Sequence, residues 1–318
     1  MNSIKSEFDF LKDISTSSTY PDGSIKDCIL DKSVILDTPY GPLVPQYEHA
    51  GVRRKHTYSV SFFQNGIIQR IALHDQTEVE TPIGRLPAEL ITFYDTGRIK
   101  RIFPLNGQIT GYWSEDDEYS LAQEFTFNLP AGTIKTKVIS VCFYENGSIQ
   151  SLTLWPKEII SVKTPIGEQR VRIGLCLYPS GEVKSFEPAS PTDIVTPIGT
   201  ICAFDLSASG INGDVNSLNF TKDGKIKSLI TSNTKITVKG ANTLKTYSPT
   251  FARDINDTEL YFEPLKIEFD NENVIFSGES KYKIKEFQFK IEPYSRKQHG
   301  GCSSCASCNQ CSSGVQGI

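Results

Sequence analysis

A short turn phrase recurs six times along the chain and limits its possible folds more than any other feature. Five copies read TYPDGSI, FFQNGII, FYDTGRI, FYENGSI and LYPSGEV, and the sixth, NFTKDGKI, is shifted by one residue. The turn glycines are Gly23, Gly66, Gly97, Gly147, Gly181 and Gly224. Such turns between apolar runs are typical of β-hairpins, because the turn requires a positive φ that Gly adopts at little cost. The phrase therefore predicts a meander of hairpins.

A second phrase alternates with the first. It reads TPYG from Thr38, TPIG from Thr81, Thr164 and Thr196, and LPAG from Leu129. Proline has a preset φ and no N–H for a β-ladder, so it belongs at a turn or a strand edge. No long segment has the apolar spacing of a helix. The sequence thus predicts an all-β fold, an antiparallel meander of stacked β-hairpin repeats.

The columns of the repeat indicate which side chains are buried. Positions two and five after the turn glycine are both apolar, as in Ile68 and Ile71, although residues of opposite parity lie on opposite faces of a regular strand. Either a β-bulge lies between the two positions or the sheet is buried on both faces, and we favour the bulge.

The changes in sequence pattern along the chain divide it into three segments. Residues 1–235 are predicted to form the hairpin-repeat domain, and 236–295 a C-terminal antiparallel β extension. Within this extension the alternation slips by one residue, and a bulge predicted near Lys285 and Glu286 would put the apolar residues before and after it on one face. Residues 296–318 are predicted to form a flexible Cys-rich tail, disordered unless a metal organises it.

The hairpins resemble the MORN-type repeats, in which short Gly-containing β-hairpins stack into an elongated sheet. Tyr94–Gly97 and Asn106–Tyr112 (NGQITGY) carry this likeness. The resemblance implies a body that docks on a protein partner.

Charge and composition argue against several classes of protein. With 33 basic and 37 acidic side chains, the formal charge is −4, whereas a dedicated nucleic-acid binder has a basic excess. No run of 18 apolar residues offers a membrane-spanning helix, and the first residues lack the apolar core of a secretory signal. We expect a cytoplasmic protein that binds neither nucleic acid nor membrane, and its oligomeric state is left open.

Few motifs for catalysis are present. The chain has four His and no nucleophile elbow, phosphate loop or zinc-protease motif. The acidic run Glu115–Glu118 is interpreted as a solvated hairpin tip, and the basic run Arg53–His56 as an exposed turn. Polar residues near Asp214 are compatible with a binding loop or an irregular connection. Catalysis is left open, and a non-enzymatic role is favoured.

The eight cysteines fall into two groups. Cys28, Cys142, Cys176 and Cys202 stand alone, and Cys142 and Cys176 both lie five residues before a turn glycine, where other repeats carry Ser, Thr or Asn. This position indicates a slot for a small side chain, so the single cysteines are interpreted as buried residues.

The other four cysteines recur every three residues in the tail, at Cys302, Cys305, Cys308 and Cys311. Thiolates concentrated in this way select iron–sulfur clusters, Zn²⁺ or Cu(I). Zinc sites usually separate two C-x2-C pairs by a long loop, and here only Ala306 and Ser307 separate them, so an iron–sulfur cluster is favoured over zinc. Redox-active thiols and an incidental Ser/Cys tail remain alternatives.

The run resembles the ligand sequence of ferredoxin-type iron–sulfur proteins, in which C-x2-C-x2-C holds a 4Fe–4S cluster. Cys302, Cys305 and Cys308 match those three positions. Cys311 follows after two residues instead of three and precedes Ser312 instead of Pro, which leaves the fourth ligand open between Cys311, a remote group and another protein.

These features give three hypotheses. The first is a metal-binding accessory protein, with an iron–sulfur cluster or alternatively zinc on the tail and a body that docks on a partner for electron or cluster transfer. The second is a non-enzymatic interaction scaffold with a structural zinc or an incidental Cys tail. The third is a polysaccharide-acting enzyme or lectin, suggested by the aromatic column Tyr20, Phe63, Tyr94, Tyr144 and Tyr178.

Overall fold

The computed structural model describes residues 13–49, 51–208, 213–253 and 260–294, and within them 26 strands and one short helix. The strands in chain order are β1 (Ile14–Thr19), β2 (Ile25–Leu30), β3 (Leu36–Thr38), β4 (Gly41–Leu43), β5 (Val60–Phe62), β6 (Ile68–Thr81), β7 (Gly84–Phe93), β8 (Ile99–Phe103), β9 (Glu124–Leu129), β10 (Gly132–Phe143), β11 (Ile149–Leu154), β12 (Ile160–Thr164), β13 (Gly167–Leu177), β14 (Val183–Pro188), β15 (Thr192–Thr196), β16 (Gly199–Ala203), β17 (Leu218–Phe220), β18 (Ile226–Thr231), β19 (Thr234–Lys239), β20 (Leu244–Tyr247), β21 (Thr250–Arg253), β22 (Leu260–Glu263), β23 (Leu265–Asp270), β24 (Asn273–Phe276), β25 (Ser280–Lys283) and β26 (Gln288–Pro293). The helix α1 (Glu115–Leu121) lies between β8 and β9. The predicted all-β fold is confirmed. In the part of the chain that is described, no helix is long and apolar enough to cross a membrane.

Seventeen strands form one main sheet, built as the predicted antiparallel meander. Its path is β1, β2, β5, β6, β7, β8, β10, β11, β13, β14, β17, β18, β23, β24 and β25, each paired with the next, while β9 and β12 pair alongside β10 and β13. The boundary expected at residue 235 falls inside β19, and β23, which lies beyond it, pairs directly with β18. The main sheet therefore continues into the C-terminal extension, and β19, β20 and β26 form a separate sheet.

Each of the six Gly-turn hairpins contains a bulge directly after its turn. In the hairpin β5–β6, Phe62 pairs with Ile68 and Ser61 pairs with Arg70, which leaves Gln69 as the extra residue. Because the bulge adds one residue between them, the side chains of Ile68 and Ile71 lie on the same face of the sheet, and both are fully buried. The favoured interpretation of the two apolar columns is confirmed.

Fully buried residues from 13 of the 17 strands, one from each, form a continuous row across the inner face of the main sheet, which we call the inner row. Its members, each directly opposite the next, are Cys28, Val60, Ile71, Ile91, Ile102, Val141, Leu152, Leu175, Phe186, Leu218, Leu229, Ile267 and Phe276. Burying a large apolar side chain contributes roughly 1.5–3 kcal/mol, so this row links all the hairpins through one core.

The Thr-Pro phrases form the tips of a second set of hairpins. In the tip that joins β6 and β7, the Thr81 hydroxyl donates to the Gly84 carbonyl oxygen at 2.6 Å and accepts the Ile83 N–H at 3.2 Å. The same pair of bonds closes the tips at Thr38, Thr164 and Thr196. The Thr hydroxyl thus provides hydrogen bonds for one carbonyl and one N–H group of the turn backbone. This role explains why Thr precedes Pro in four of the five copies.

These tips cover the main sheet with a fixed offset. Four of the five tips follow one Gly-turn hairpin in the chain and contact the turn of the second hairpin after it, whereas Gly199 of the last tip lies against Ile291. A Cβ built on Gly147 would lie 2.9 Å from Pro82, and one built on Gly224 would lie 3.3 Å from Pro165. Side chains of both layers, such as Val79 and Ile71, belong to one buried cluster. The body therefore has two β layers around a shared core.

The last long strand predicted by the alternation is divided into two. The chain makes a turn near Lys285 and Glu286, in which the Glu286 N–H donates to the Lys283 carbonyl oxygen at 3.1 Å. Before the turn β25 pairs with β24 in the main sheet, and after it β26 pairs with β19 in another sheet. The predicted bulge is wrong, because the slip in alternation marks a change of sheet.

Candidate functional site

The four tail cysteines of the predicted metal site, Cys302, Cys305, Cys308 and Cys311, lie outside the described residues. Within the described ranges, no group of three or more His, Cys, Asp or Glu side chains could hold a metal ion. The tail site accordingly stays a prediction from the spacing of its cysteines.

The four cysteines of the body are placed for packing. Cys28, Cys142 and Cys176 are buried and Cys202 is half-buried. Burial raises the pKa of the Cys28 thiol to about 11, and burial likewise raises the pKa of Cys176 to about 11. These thiols are protonated at neutral pH and are poor metal ligands, since only the thiolate binds metal. The interpretation of the single cysteines as buried residues is confirmed for Cys28, Cys142 and Cys176.

Next to the inner row, on the opposite face of the sheet, runs a row of mostly polar residues that we call the outer row. Its members, again directly opposite one another, are Ser18, Asp27, Ser61, Arg70, Thr92, Arg101, Cys142, Ser151, Cys176, Ser185, Asn219, Ser228 and Glu268. The repeat analysis identified the half of this row that precedes each turn. It missed the half that follows, four residues after the glycine, where Arg70 and Arg101 stand.

Part of the outer row is covered by the segment 213–217. The Asp214 carboxylate accepts hydrogen bonds from Ser151 and Arg101, and the Cys176 thiol donates to the Gly213 carbonyl oxygen at 3.4 Å. The Asn216 side-chain amide donates to the Ser185 hydroxyl at 3.0 Å. The small side chains of the outer row thus make room for a loop that lies on the sheet. These bonds are all made within the chain, and a binding role for this loop stays a prediction.

Beside this loop an open groove of about 630 Å³ crosses the outer row. Among the described residues, three cationic side chains line it, namely Arg70 from β6 and Lys100 and Arg101 from β8, and Asp214 is the one carboxylate. Thr92 and Cys142 also line it. A groove of this volume is within the range of small-molecule sites.

A buried ion-pair cluster lies on a different part of the structure. The Arg53 guanidinium binds Glu89 through two hydrogen bonds of 2.8 and 2.7 Å and Glu118 through two of 2.7 Å. The pKa of Glu118 is lowered even though burial opposes this, because Arg53 and Trp113 donate hydrogen bonds to the carboxylate. The predicted exposed basic turn is therefore wrong for Arg53 and Arg54, whose side chains are 17% and 4% exposed.

The acidic run also differs from its interpretation as a hairpin tip. Glu115–Glu118 form the first turn of α1, where the Ser114 hydroxyl accepts the Asp117 N–H and the Asp117 carboxylate accepts the Ser114 N–H. Acidic residues stabilise the first turn of a helix through its dipole. The Ser-x-x-Asp spacing was the available signal for this helix.

The aromatic column proposed for a lectin has a structural role. The tyrosine hydroxyls donate to the backbone of the neighbouring hairpin: Tyr20 to Phe62, Tyr94 to Phe143, Tyr144 to Leu177 and Tyr178 to Phe220, at 2.8–2.9 Å. These rings are half-buried between hairpins. Their use for cross-strand contact leaves no support for a sugar-binding ladder.

One of the two segments that resemble MORN repeats folds otherwise. Asn106–Tyr112 forms a loop outside the named strands, in which the Asn106 and Gly107 N–H groups donate to Glu89 and Glu118. The resemblance of the hairpins to MORN-type repeats stays a prediction.

Compared with known proteins, the chain matches no family model and no curated protein.

Proposed function

We propose that this protein is a non-enzymatic metal-binding accessory protein whose tail binds an iron–sulfur cluster, or alternatively zinc, through Cys302, Cys305, Cys308 and Cys311. The observation that carries the proposal is the regular C-x2-C-x2-C-x2-C spacing. Soft thiolates in this density are ligands for such metals. The body serves as the docking part, and the tail delivers electrons or the cluster to a protein partner.

The chemistry of the body supports this division of roles. Its buried thiols have a raised pKa, so they do not compete for metal at neutral pH. Its two-layer β architecture around one core provides a firm, extended surface, which suits docking. The proposed partner is a protein, and cytoplasmic location belongs to the same proposal.

Metal analysis of the full chain tests the proposal. We expect protein purified without oxygen to carry iron and sulfide with a visible absorbance, or zinc with none, and the fourfold Cys→Ser variant of the tail to carry neither. As a matched control, the Cys28→Ala, Cys142→Ser and Cys176→Ser variants keep the metal. Because the ligands must be deprotonated, the metal is lost in acid.

A non-enzymatic interaction scaffold with a structural zinc or an incidental Cys tail is the second candidate. It predicts that the fourfold variant binds the same partners as the full chain, and that the full chain carries zinc or no metal but no iron–sulfur cluster. Metal bound equally by the full chain and by the fourfold variant contradicts the ligand assignment.

A further inference from the structure

The groove on the outer face carries positive charge that the protein does not neutralise. Its lining contains three cations and one carboxylate, a local charge of 3 − 1 = +2 on a chain whose formal charge is −4. Arg101 is paired with Asp214. Within the described residues, neither Arg70 nor Lys100 has a carboxylate oxygen within 4.0 Å. Two cations are thus available to a ligand.

The repeat itself explains why the cations gather here. The bulge of each hairpin directs two consecutive side chains towards the outer face, so β6 contributes Gln69 and Arg70, and β8 contributes Lys100 and Arg101. Arg70 and Arg101 flank Thr92 in the outer row. With strands about 4.8 Å apart, their backbones are separated by about 10 Å across this small residue. A group bound above Thr92 lies between two guanidinium groups.

Arg70 is only partly solvated in this position. Its Nη1 donates to the Tyr58 carbonyl oxygen at 3.2 Å, and most of its five N–H donors have no acceptor among the described residues. Burial lowers the pKa of Arg70, and Asp27 opposes this only in part. A partly buried guanidinium without a carboxylate is stabilised by an anion that accepts its hydrogen bonds.

We propose that this groove binds a small organic oxyanion, a carboxylate or phosphate ester with a planar apolar part, held by Arg70 and Lys100 above Thr92. Guanidinium groups bind carboxylate and phosphate through paired hydrogen bonds. The rings of Phe63 and Phe103 line the same groove and provide apolar faces for the remainder of the ligand. The site is independent of the tail.

Calorimetric titration of the full chain at low ionic strength tests this site with three probes: phenyl phosphate, benzoate and inorganic phosphate. We expect phenyl phosphate or benzoate to bind more tightly than inorganic phosphate, and the tighter of the two identifies the anionic group. Arg70→Gln weakens that binding about tenfold or more, the effect of losing hydrogen bonds between charged groups. Lys100→Gln weakens it as well.

Lys227→Gln is the matched control, because Lys227 occupies the same bulge position in the hairpin β17–β18 and lies outside the groove. It is expected to leave binding unchanged, as is the fourfold Cys→Ser variant of the tail. Circular dichroism of each variant checks that the fold is kept. Absence of binding by all three probes, or equal losses for Arg70→Gln and Lys227→Gln, overturns the proposal.

Discussion

The hydroxyl of Tyr144 donates a hydrogen bond to the carbonyl oxygen of Leu177, 2.9 Å away in the next Gly-turn hairpin. Tyr20, Tyr94 and Tyr178 make the equivalent bond from their own hairpins. These bonds tie four of the six Gly-turn hairpins to their successors at the turn end of the sheet. The series is interrupted at Phe63, which occupies the tyrosine position and has no hydroxyl.

Tyr144→Phe removes one of these links and leaves the ring in place. We expect the free energy of unfolding to fall by about 1 kcal/mol, the usual net value of such a hydrogen bond. Urea denaturation followed by circular dichroism measures it. Tyr112→Phe, at a side chain that is 87% exposed, is the control and should have no effect. Equal stability of Tyr144→Phe and wild type argues against the link.

Phe63→Tyr is the complementary change, because it supplies the missing hydroxyl. By the pattern of the repeat, this hydroxyl reaches the carbonyl oxygen of Phe93, and we expect a gain of about 0.5–1 kcal/mol in the free energy of unfolding. The same urea experiment measures the gain. A loss of stability would show that the hairpin β5–β6 differs from the others in its contact with the next hairpin.

Arg53→Met tests the buried ion-pair cluster. The change leaves the carboxylate of Glu118, which is 4% exposed, without its cation, and leaves that of Glu89, which is 5% exposed, with only the Arg54 Nε at 4.0 Å. We expect a loss of about 3–5 kcal/mol, as for other buried pairs from which one partner is removed. Arg85→Met, which breaks an exposed pair with Glu80, is the control and should leave stability near that of wild type. Similar losses for both variants would contradict the burial argument.

Stability should decline at alkaline pH through the buried thiols. The pKa of Cys28 is raised from 9.0 to about 11 in the folded protein, so the unfolded state ionises first as the pH rises. The contribution of Cys28 to the free energy of unfolding is present in full below pH 9 and is lost between about pH 9 and 11. This loss amounts to about 2–3 kcal/mol for one thiol.

Urea denaturation across this pH range measures the decline, and Cys28→Ala should make it shallower. Val60→Ala is the matched control, since Val60 lies directly opposite Cys28 in the inner row and does not titrate. It lowers stability at every pH without changing the slope. Equal slopes for Cys28→Ala and wild type would place the cause elsewhere.

The repeat predicted most of the main sheet, because hairpin turns and strand alternation are local properties of the sequence. Ile68 and Ile71 show this: both are apolar at positions of opposite parity after Gly66, and this pattern favoured a bulge between them. Contacts between residues far apart in the sequence leave no such local pattern, and this explains why the basic and acidic runs were interpreted wrongly. Arg53 and Glu118 are 65 residues apart, and no local pattern indicates that they meet.

The groove was missed for a related reason. Arg70 and Arg101 each follow a bulge residue on a different strand, and their proximity depends on the pairing of both strands with Thr92. The offset between a Pro tip and the turn that it covers, as for Pro82 and Gly147, depends on how long strands bend, which the sequence pattern does not specify.

The metal content of the full chain, measured per polypeptide after anaerobic purification and again after incubation with iron and sulfide or with zinc, tests the central claim most directly. We expect one cluster, or one zinc ion, to remain bound through gel filtration, and none in the variant with Ser at 302, 305, 308 and 311. A full chain that retains no metal under either condition would contradict the claim.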